Sequence, residues 1–386
     1  MLNDKILKIL NNEKNRQQRN MQFIASENFA SEEVMRLTGS IFTNKYAEGY
    51  PGKRYYNGCE NMDEVESLAN EFLKDLFKAE FSNVQPHSGA NANFAVMQAL
   101  LNPGDKVVAM SLDGGGHLSH GANVNWSSKT YDFYHYGVNE EGLIDYEEVK
   151  NLVEKTQPSM VIAGASAYPR QIDWEKFREI ADFSGAYLMV DMAHYSGLVA
   201  GQAYPNPIQY ADVVTSTTHK TLRGPRGGII LWNNKKLTKK INSAVFPGTQ
   251  GGPLMNNIAA KAQAFYEASL PEFREYSHNV ITNAQNMSRE FMEQNIPVLT
   301  GGTDSHMIIL DLSGFQVSGK DVANEFERHR MTVNKNAIPN DPKSFVETSG
   351  VRIGTAAETT RGHDIEWFKR IANDMARTIH ELELSL

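Results

Sequence analysis

Between about residues 64 and 240, short apolar runs alternate with longer stretches whose apolar residues recur at helical spacing. The runs at 106–110 (KVVAM), 160–163 (MVIA), 187–190 (YLMV), 213–216 (VVTS) and 228–231 (GIIL) are nearly continuous. That pattern predicts strands buried on both faces. The stretches 63–78, 91–101, 146–155 and 173–184 predict helices. Their alternation predicts an α/β protein with a mostly parallel sheet covered by helices, whose ligands bind beyond the carboxyl ends of the strands. Residues 256–294 read as helix leading into a second, smaller α/β domain. There, strands are expected at 306–311 and 351–353 and helices at 319–329 and 364–383. At the start of the chain, Ile6, Ile9 and Leu10 share one face of a helix over 2–20 that ends in Gln17-Gln18-Arg19-Asn20. The expected organisation is an N-terminal arm over 1–25, a large domain over 26–280 and a small domain over 281–386. Residues 40–60 follow no period and are rich in Gly and Tyr, and a loop of this length predicts a functional or interfacial role.

Composition narrows the choice of function. The 386 residues are 41% hydrophobic, which is ample for a large core. Basic residues number 38 and acidic residues 46, for a net charge of −8, so a dedicated nucleic-acid coat is not expected. No run approaches the ~20 apolar residues of a membrane span, and the N-terminal residues do not read as a secretory signal. The one cysteine, Cys59, leaves no intramolecular disulfide framework and no Cys-rich zinc site. A reducing, cytoplasmic setting is the expectation, with neither membrane nor nucleic acid as a partner.

The chemistry gathers at predicted strand ends. Asp191 closes the run 187–190, and Lys220 lies just past 213–216 in Thr217-Thr218-His219-Lys220-Thr221. Singly, such residues are most often a cap and a solvated lysine. Together, at two ends of one sheet, they can supply a Schiff-base amine and a partner for a pyridinium nitrogen. The following Gly224-Pro225-Arg226-Gly227-Gly228 imposes an unusual backbone path. His87-Ser88-Gly89-Ala90 opens the predicted helix 91–101. It reads either as a plain N-cap or as a phosphate turn in which Ser88 and the helical N–H groups are donors. No Walker-type or Gly-x-Gly-x-x-Gly motif is present. In Gly114-Gly115-Gly116-His117-Leu118-Ser119-His120, His117 can stack on a flat ring, and His194 can orient Asp191. Metal binding by His117, His120, His194 and His219 competes with that reading but lacks a His-Glu-x-x-His motif, so no metal is expected. Arg352, in a short strand, suits either a structural ion pair or a substrate carboxylate. As one site, these residues describe pyridoxal 5'-phosphate holding an amino acid.

The chain resembles the serine hydroxymethyltransferase (glycine hydroxymethyltransferase) family nearly end to end. The matching segments are Ile24-Ala25-Ser26-Glu27-Asn28, 43–56 (TNKYAEGYPGKRYY), Gln85-Pro86-His87-Ser88-Gly89, Val190-Asp191-Met192-Ala193-His194 and Thr217-Thr218-His219-Lys220-Thr221. Pro247-Gly248-Thr249-Gln250-Gly251-Gly252-Pro253, Thr332-Val333-Asn334-Lys335-Asn336 and 348–355 extend the match. The resemblance implies a fold-type I pyridoxal phosphate enzyme with a seven-stranded-type sheet and a smaller C-terminal domain. It implies transfer of the serine hydroxymethyl group to tetrahydrofolate, giving glycine and 5,10-methylenetetrahydrofolate in one-carbon metabolism. It also implies a homodimer, or a tetramer built from it, with the active site at the subunit interface.

By the same resemblance, Lys220 carries the cofactor, Asp191 meets the ring nitrogen and His117 stacks on the ring. Ser88, Gly89 and a partner's Gly252 hold the phosphate, and Ser166, His194 and His219 complete the cofactor contacts. Ser26 and Arg352 hold the substrate carboxylate. Tyr46, Glu48 and Tyr56 come from the partner's loop, with Glu48 in proton transfer and Tyr46 also near the cofactor. Leu112, Gly116, Leu118 and Asn336 line the folate pocket. The chain departs from the family pattern at Gly114, Asn91, 344–350 and Ala356. The altered segment 344–348, together with Gly114, motivates an alternative of the same family: a folate-independent aldolase or transaldolase, or an α-methylserine hydroxymethyltransferase.

Overall fold

The computed structural model describes residues 2–385. The chain divides into two compact units: Phe29–Asn279, and the residues up to Asn28 together with those from Val280 onward.

The Phe29–Asn279 unit is built on seven strands. These are β1 (Phe81–Asn83), β2 (Lys106–Met110), β3 (Asp132–Tyr136), β4 (Met160–Ala163), β5 (Tyr187–Asp191), β6 (Val213–Thr217) and β7 (Gly228–Trp232). Their order is β1-β7-β6-β5-β4-β2-β3. Neighbours from β6 through to β3 are parallel, while β7 is antiparallel to both β6 and β1. The five apolar runs become the five inner strands, and the sheet is of the expected mostly parallel kind. One face packs Val107, Ala109, Met160, Ile162, Met189, Val213 and Trp232 against Ala92 and Val96 of the helix Gly89–Leu100.

Three local features differ from the sequence expectation. Strands β1 and β3 were not anticipated, and both are sheet edges. Strand β3 reads Asp132-Phe133-Tyr134-His135-Tyr136, with Asp132 and His135 exposed, so no apolar run announces it. The helix expected over 256–294 is two helices, Met255–Ala268 and Pro271–Glu293. Pro271 has no N–H to continue the first and is well suited to open the second. The irregular segment 40–60 holds a 3-10 turn, Ile41–Asn44, and a small hairpin of Gly49–Tyr50 with Lys53–Arg54. Arg54 ties that hairpin down. Its guanidinium bonds Asp63 at 2.8 Å, Glu66 at 2.6 Å and the carbonyl oxygens of Ala47 and Gly49. A planar five-donor group thereby orders a loop that has little regular structure of its own.

The other unit carries β8 (Met307–Asp311), β9 (Asn334–Asn336) and β10 (Gly350–Gly354) in the antiparallel order β8-β10-β9. Helices Gly319–Arg328 and Ile365–Leu384 bring Val322, Phe326, Phe368 and Met375 to its core. The N-terminal residues group with this unit. Met21–Gln22 pairs in parallel with Met331–Thr332, Phe23 enters the core, and the Gln22 N–H donates to the buried Glu358 carboxylate at 2.7 Å. The helix Asp4–Arg19 buries no side chain. Among the described residues no helix is long and apolar enough to cross a membrane.

Candidate active site

Asp191 closes β5, and on the adjacent parallel strand β6 its register partner is Thr215. Lys220 begins the short 3-10 turn that follows β6. The sheet therefore delivers both side chains at carboxyl ends of neighbouring strands. Lys220 is 9% exposed and has φ +62°, the left-handed region that costs a side-chain-bearing residue about 1–2 kcal/mol. Its neighbour Thr221 holds it there. Thr221 Oγ1 donates to the His194 carbonyl at 2.9 Å and accepts the Gly197 N–H at 3.0 Å, while the Thr221 carbonyl accepts the Tyr276 hydroxyl at 3.1 Å. The bonds around Thr221 over-determine this backbone conformation, which is how a strained residue persists in a folded chain.

Asp191 is buried and surrounded by donors. Its Oδ2 accepts from Asn93 Nδ2 at 2.8 Å and His120 Nε2 at 3.0 Å, and its Oδ1 accepts the Ala193 N–H at 3.1 Å. Burial pushes the carboxyl pKa up. The hydrogen bonds from His120 and Asn93, with the two imidazoles beside it, outweigh it and hold the group well below the usual carboxylate range. Asn93 is fixed in turn, because its Oδ1 accepts the Thr215 hydroxyl at 2.6 Å. His120 Nδ1 accepts the His117 N–H at 3.4 Å, which assigns the proton to Nε2 and makes His120 the donor to Asp191.

Burial lowers the His117 pKa to about 4, so its ring is neutral near pH 7. The Ser119 N–H donates to His117 Nδ1 at 3.1 Å and fixes its orientation. Asn93, Ser119, His120 and Thr215 had no assigned role in the sequence reading. Of these, His120 alone entered the sequence analysis, as one of four histidines in the competing metal reading. His120→Ala is expected to lower kcat/KM by about ten- to a hundredfold. It removes a donor to the ionised carboxylate, so the acid limb of the rate profile should move to higher pH. An unmoved limb would separate His120 from Asp191.

Ser88 caps the helix Gly89–Leu100: its Oγ accepts the Asn91 N–H at 3.1 Å and donates to Asn91 Oδ1 at 2.8 Å. The first-turn N–H groups of that helix have no intrahelical acceptors and carry the positive dipole end. A Cβ at Gly89 would lie 2.8 Å from Thr217 Cγ2, so only glycine lets this turn sit against β6. Two buried imidazole nitrogens near these groups, His87 Nε2 and His219 Nδ1, have no hydrogen-bond partner among the described residues. Burial, then the charge of Lys220, pushes His219 down to about 3. His194 is buried, and the Ser166 N–H donates to the Gly115 carbonyl at 2.8 Å. Gly116 is wedged under its own strand end, where a Cβ would meet the Met110 carbonyl at 2.3 Å, and Leu112 and Leu118 beside it are exposed.

The Gly/Tyr loop and the turn near Gly252 form one patch. The Tyr46 and Tyr56 rings meet edge-on at 5.4 Å, a Cβ on Gly252 would touch the Tyr46 ring at 2.9 Å, and Glu48 Oε1 lies 3.3 Å from the same point on Gly251. Tyr46 and Tyr56 are 58% and 48% exposed. Gln250 fastens the turn to the segment before Ser88, donating to the Gln85 carbonyl at 2.7 Å and accepting the His87 N–H at 3.3 Å.

The remaining candidates belong to the other unit. Arg352 lies on β10, and its Nε donates to Asn334 Oδ1 at 3.1 Å. Ala25, next to Ser26, packs directly on Gly354 of the same strand, and Asn336 pairs with Gly350 across β9 and β10.

The family model described as serine hydroxymethyltransferase matches residues 1–375. A protein named serine hydroxymethyltransferase from Halorhodospira halophila is 56% identical over 92% of this chain and 85% of its own length. One of the same name from Dichelobacter nodosus is 54% identical over 96% of this chain and 89% of its own. Another, from Lactobacillus gasseri, is 57% identical over 92% of this chain and 86% of its own.

Proposed function

The chain belongs to the serine hydroxymethyltransferase family, and on that premise we propose how its residues divide the reaction among themselves. The reaction is the reversible transfer of the serine hydroxymethyl group to tetrahydrofolate, dependent on pyridoxal phosphate and giving glycine and 5,10-methylenetetrahydrofolate. Relatives of that name along nearly the whole chain do not favour the folate-independent alternative.

The residues present fit the cofactor. A buried carboxylate held ionised suits a pyridinium nitrogen. A neutral, oriented imidazole suits a ring face, and a glycine-packed helix start suits a phosphate. When bound, pyridoxal phosphate supplies the electron sink that takes the charge left by cleavage of the serine Cα–Cβ bond. The observation that carries the assignment is the Asp191 cluster. Three donors keep the carboxylate charged, and a charged Asp191 keeps a proton on the ring nitrogen.

Lys220 Nζ would hold the cofactor through its amine. Ser88 and Gly89 would hold its phosphate, and His219, His194 and Ser166 would complete the cofactor contacts. Ser26 and Arg352 hold the substrate carboxylate and so orient the bond to be broken. Glu48 moves a proton to or from the serine hydroxyl. The cluster of exposed Tyr46 and Tyr56 with half-buried Glu48 and Gly252 serves a second copy of the chain in a homodimer, a reading supported by its two exposed tyrosines. Leu112, Gly116, Leu118 and Asn336 contact the folate.

The deciding experiment is serine-to-glycine conversion by purified protein with and without tetrahydrofolate. Strongly folate-dependent turnover is the expected result, and folate-indifferent cleavage would move the protein to the alternative. Arg352→Ala is expected to raise the serine KM about a hundredfold. Cofactor affinity should stay unchanged, and a change confined to cofactor affinity would reassign Arg352.

A further inference from the structure

Lys261 sits on the helix Met255–Ala268 at 2% exposure, where a lysine is seldom found. Its Nζ donates to three backbone carbonyls: Val84 at 2.6 Å, Pro86 at 3.0 Å and Gly228 at 2.9 Å. An ammonium has three protons, so its donor capacity is filled. Burial lowers its pKa to about 7, against the opposing charge of Glu66.

The carbonyls it binds are not scattered. Val84 and Pro86 lead into His87-Ser88-Gly89. Gly228 opens β7, donates its own N–H to Pro86 at 3.0 Å, and lies so close to Ser88 that a Cβ there would meet the Ser88 carbonyl at 2.2 Å. In a trans peptide, C=O and N–H point opposite ways. Holding the Pro86 carbonyl toward Lys261 therefore turns the His87 N–H the other way, where it meets Gln250 Oε1. The segment before Ser88 is pinned from both sides, by Lys261 and by Gln250.

We propose that Lys261 is a positioning residue for the cofactor phosphate. By fixing the Val84, Pro86 and Gly228 carbonyls it sets where Ser88 and Gly89 present their donors, and it places a buried ammonium behind the turn that receives a dianion. The inference rests on the assignment of Ser88 and Gly89 to the phosphate.

The test compares dissociation constants of pyridoxal phosphate and of pyridoxal, which lacks the phosphate, for the apoprotein and three variants. Lys261→Met is expected to weaken pyridoxal phosphate by about tenfold or more and pyridoxal by less than about twofold. Gly227→Ala keeps the ammonium but drives a methyl to 2.5 Å from Lys261 Cε and 3.0 Å from Nζ, so it should show the same selectivity at smaller size. If Lys261→Met does not fold, Gly227→Ala decides. Ser88→Ala is the reference for phosphate selectivity. Equal loss of both ligands, or of neither, in the Lys261 and Gly227 variants while Ser88→Ala stays selective overturns the role of Lys261 alone. Absence of selectivity in Ser88→Ala as well overturns the phosphate assignment and the inference with it.

Discussion

Lys220→Ala is expected to cut serine-to-glycine turnover by at least about a thousandfold while the protein stays folded. Lys220 is the amine delivered to the carboxyl end of β6, beside Asp191 at the end of β5. Alanine removes the nucleophile and leaves the turn, because the bonds that shape it run through Thr221, Gly224 and Arg223. The φ of +62° offers a control that separates chemistry from folding. Lys220→Gly should be as inactive as Lys220→Ala but more stable than it by about 1 kcal/mol, since glycine adopts the left-handed region without a Cβ penalty. Steady-state rates, the visible spectrum of added pyridoxal phosphate and thermal melts of both variants check this. A rate within tenfold of the parent would remove Lys220 from its role. Equal stability of the two variants would show that the turn is not strained.

Asp191→Asn is expected to lower kcat by about a hundred- to a thousandfold with little change in the serine KM. The amide nearly matches the carboxylate in shape, and its oxygen can still accept from Asn93 and His120, while its NH2 would face the Ala193 N–H and lose that one bond. The negative charge is what disappears. The Asp191 pKa lies well below its ordinary value, so the group is ionised throughout the range in which the enzyme is assayed. A charge of this kind, buried and held by fixed donors, acts without reorganising solvent. Asp191→Glu restores the charge with a longer reach and should recover part of the rate. Parallel pH profiles complete the test: Asp191 itself contributes no limb near neutrality in the parent, whereas His120→Ala brings one up from the acid side. Loss of less than about threefold in Asp191→Asn would detach the carboxylate from the chemistry.

The parts of the protein legible in its sequence share one physical property: they are local. The inner strands β2, β4, β5, β6 and β7 are covered on both faces, so each is written as a continuous apolar run. The edges β1 and β3 are covered less, carry polar residues, and left no run to read. The break in the helix between Met255–Ala268 and Pro271–Glu293 is marked in the sequence by Pro271 alone. The candidate residues Lys220, Asp191 and Ser88 stood out because each lies at the end of such an element, in a short motif of its own.

Their supporting residues did not, because nothing local marks them. Asn93 is a polar residue inside an otherwise apolar helix face, and its meaning lies in Asp191, 98 residues away. His120 could be read as a metal ligand until its Nε2 was seen to face Asp191. Lys261 reads as a solvated helix lysine, yet its three acceptors lie 177, 175 and 33 residues from it in the chain. Arg54 likewise hides in a loop without period and is the group that orders it.

The sequence by itself determined the α/β class, the inner strands and the family, and put forward the candidate side chains Lys220, Asp191 and Ser88, since each is encoded in a few contiguous residues. The tertiary structure alone decided the donors around Asp191, the positive φ at Lys220 and the pinning of the segment before Ser88 by Lys261. Each of these arises from burial and hydrogen bonds between segments that meet only when the chain is folded.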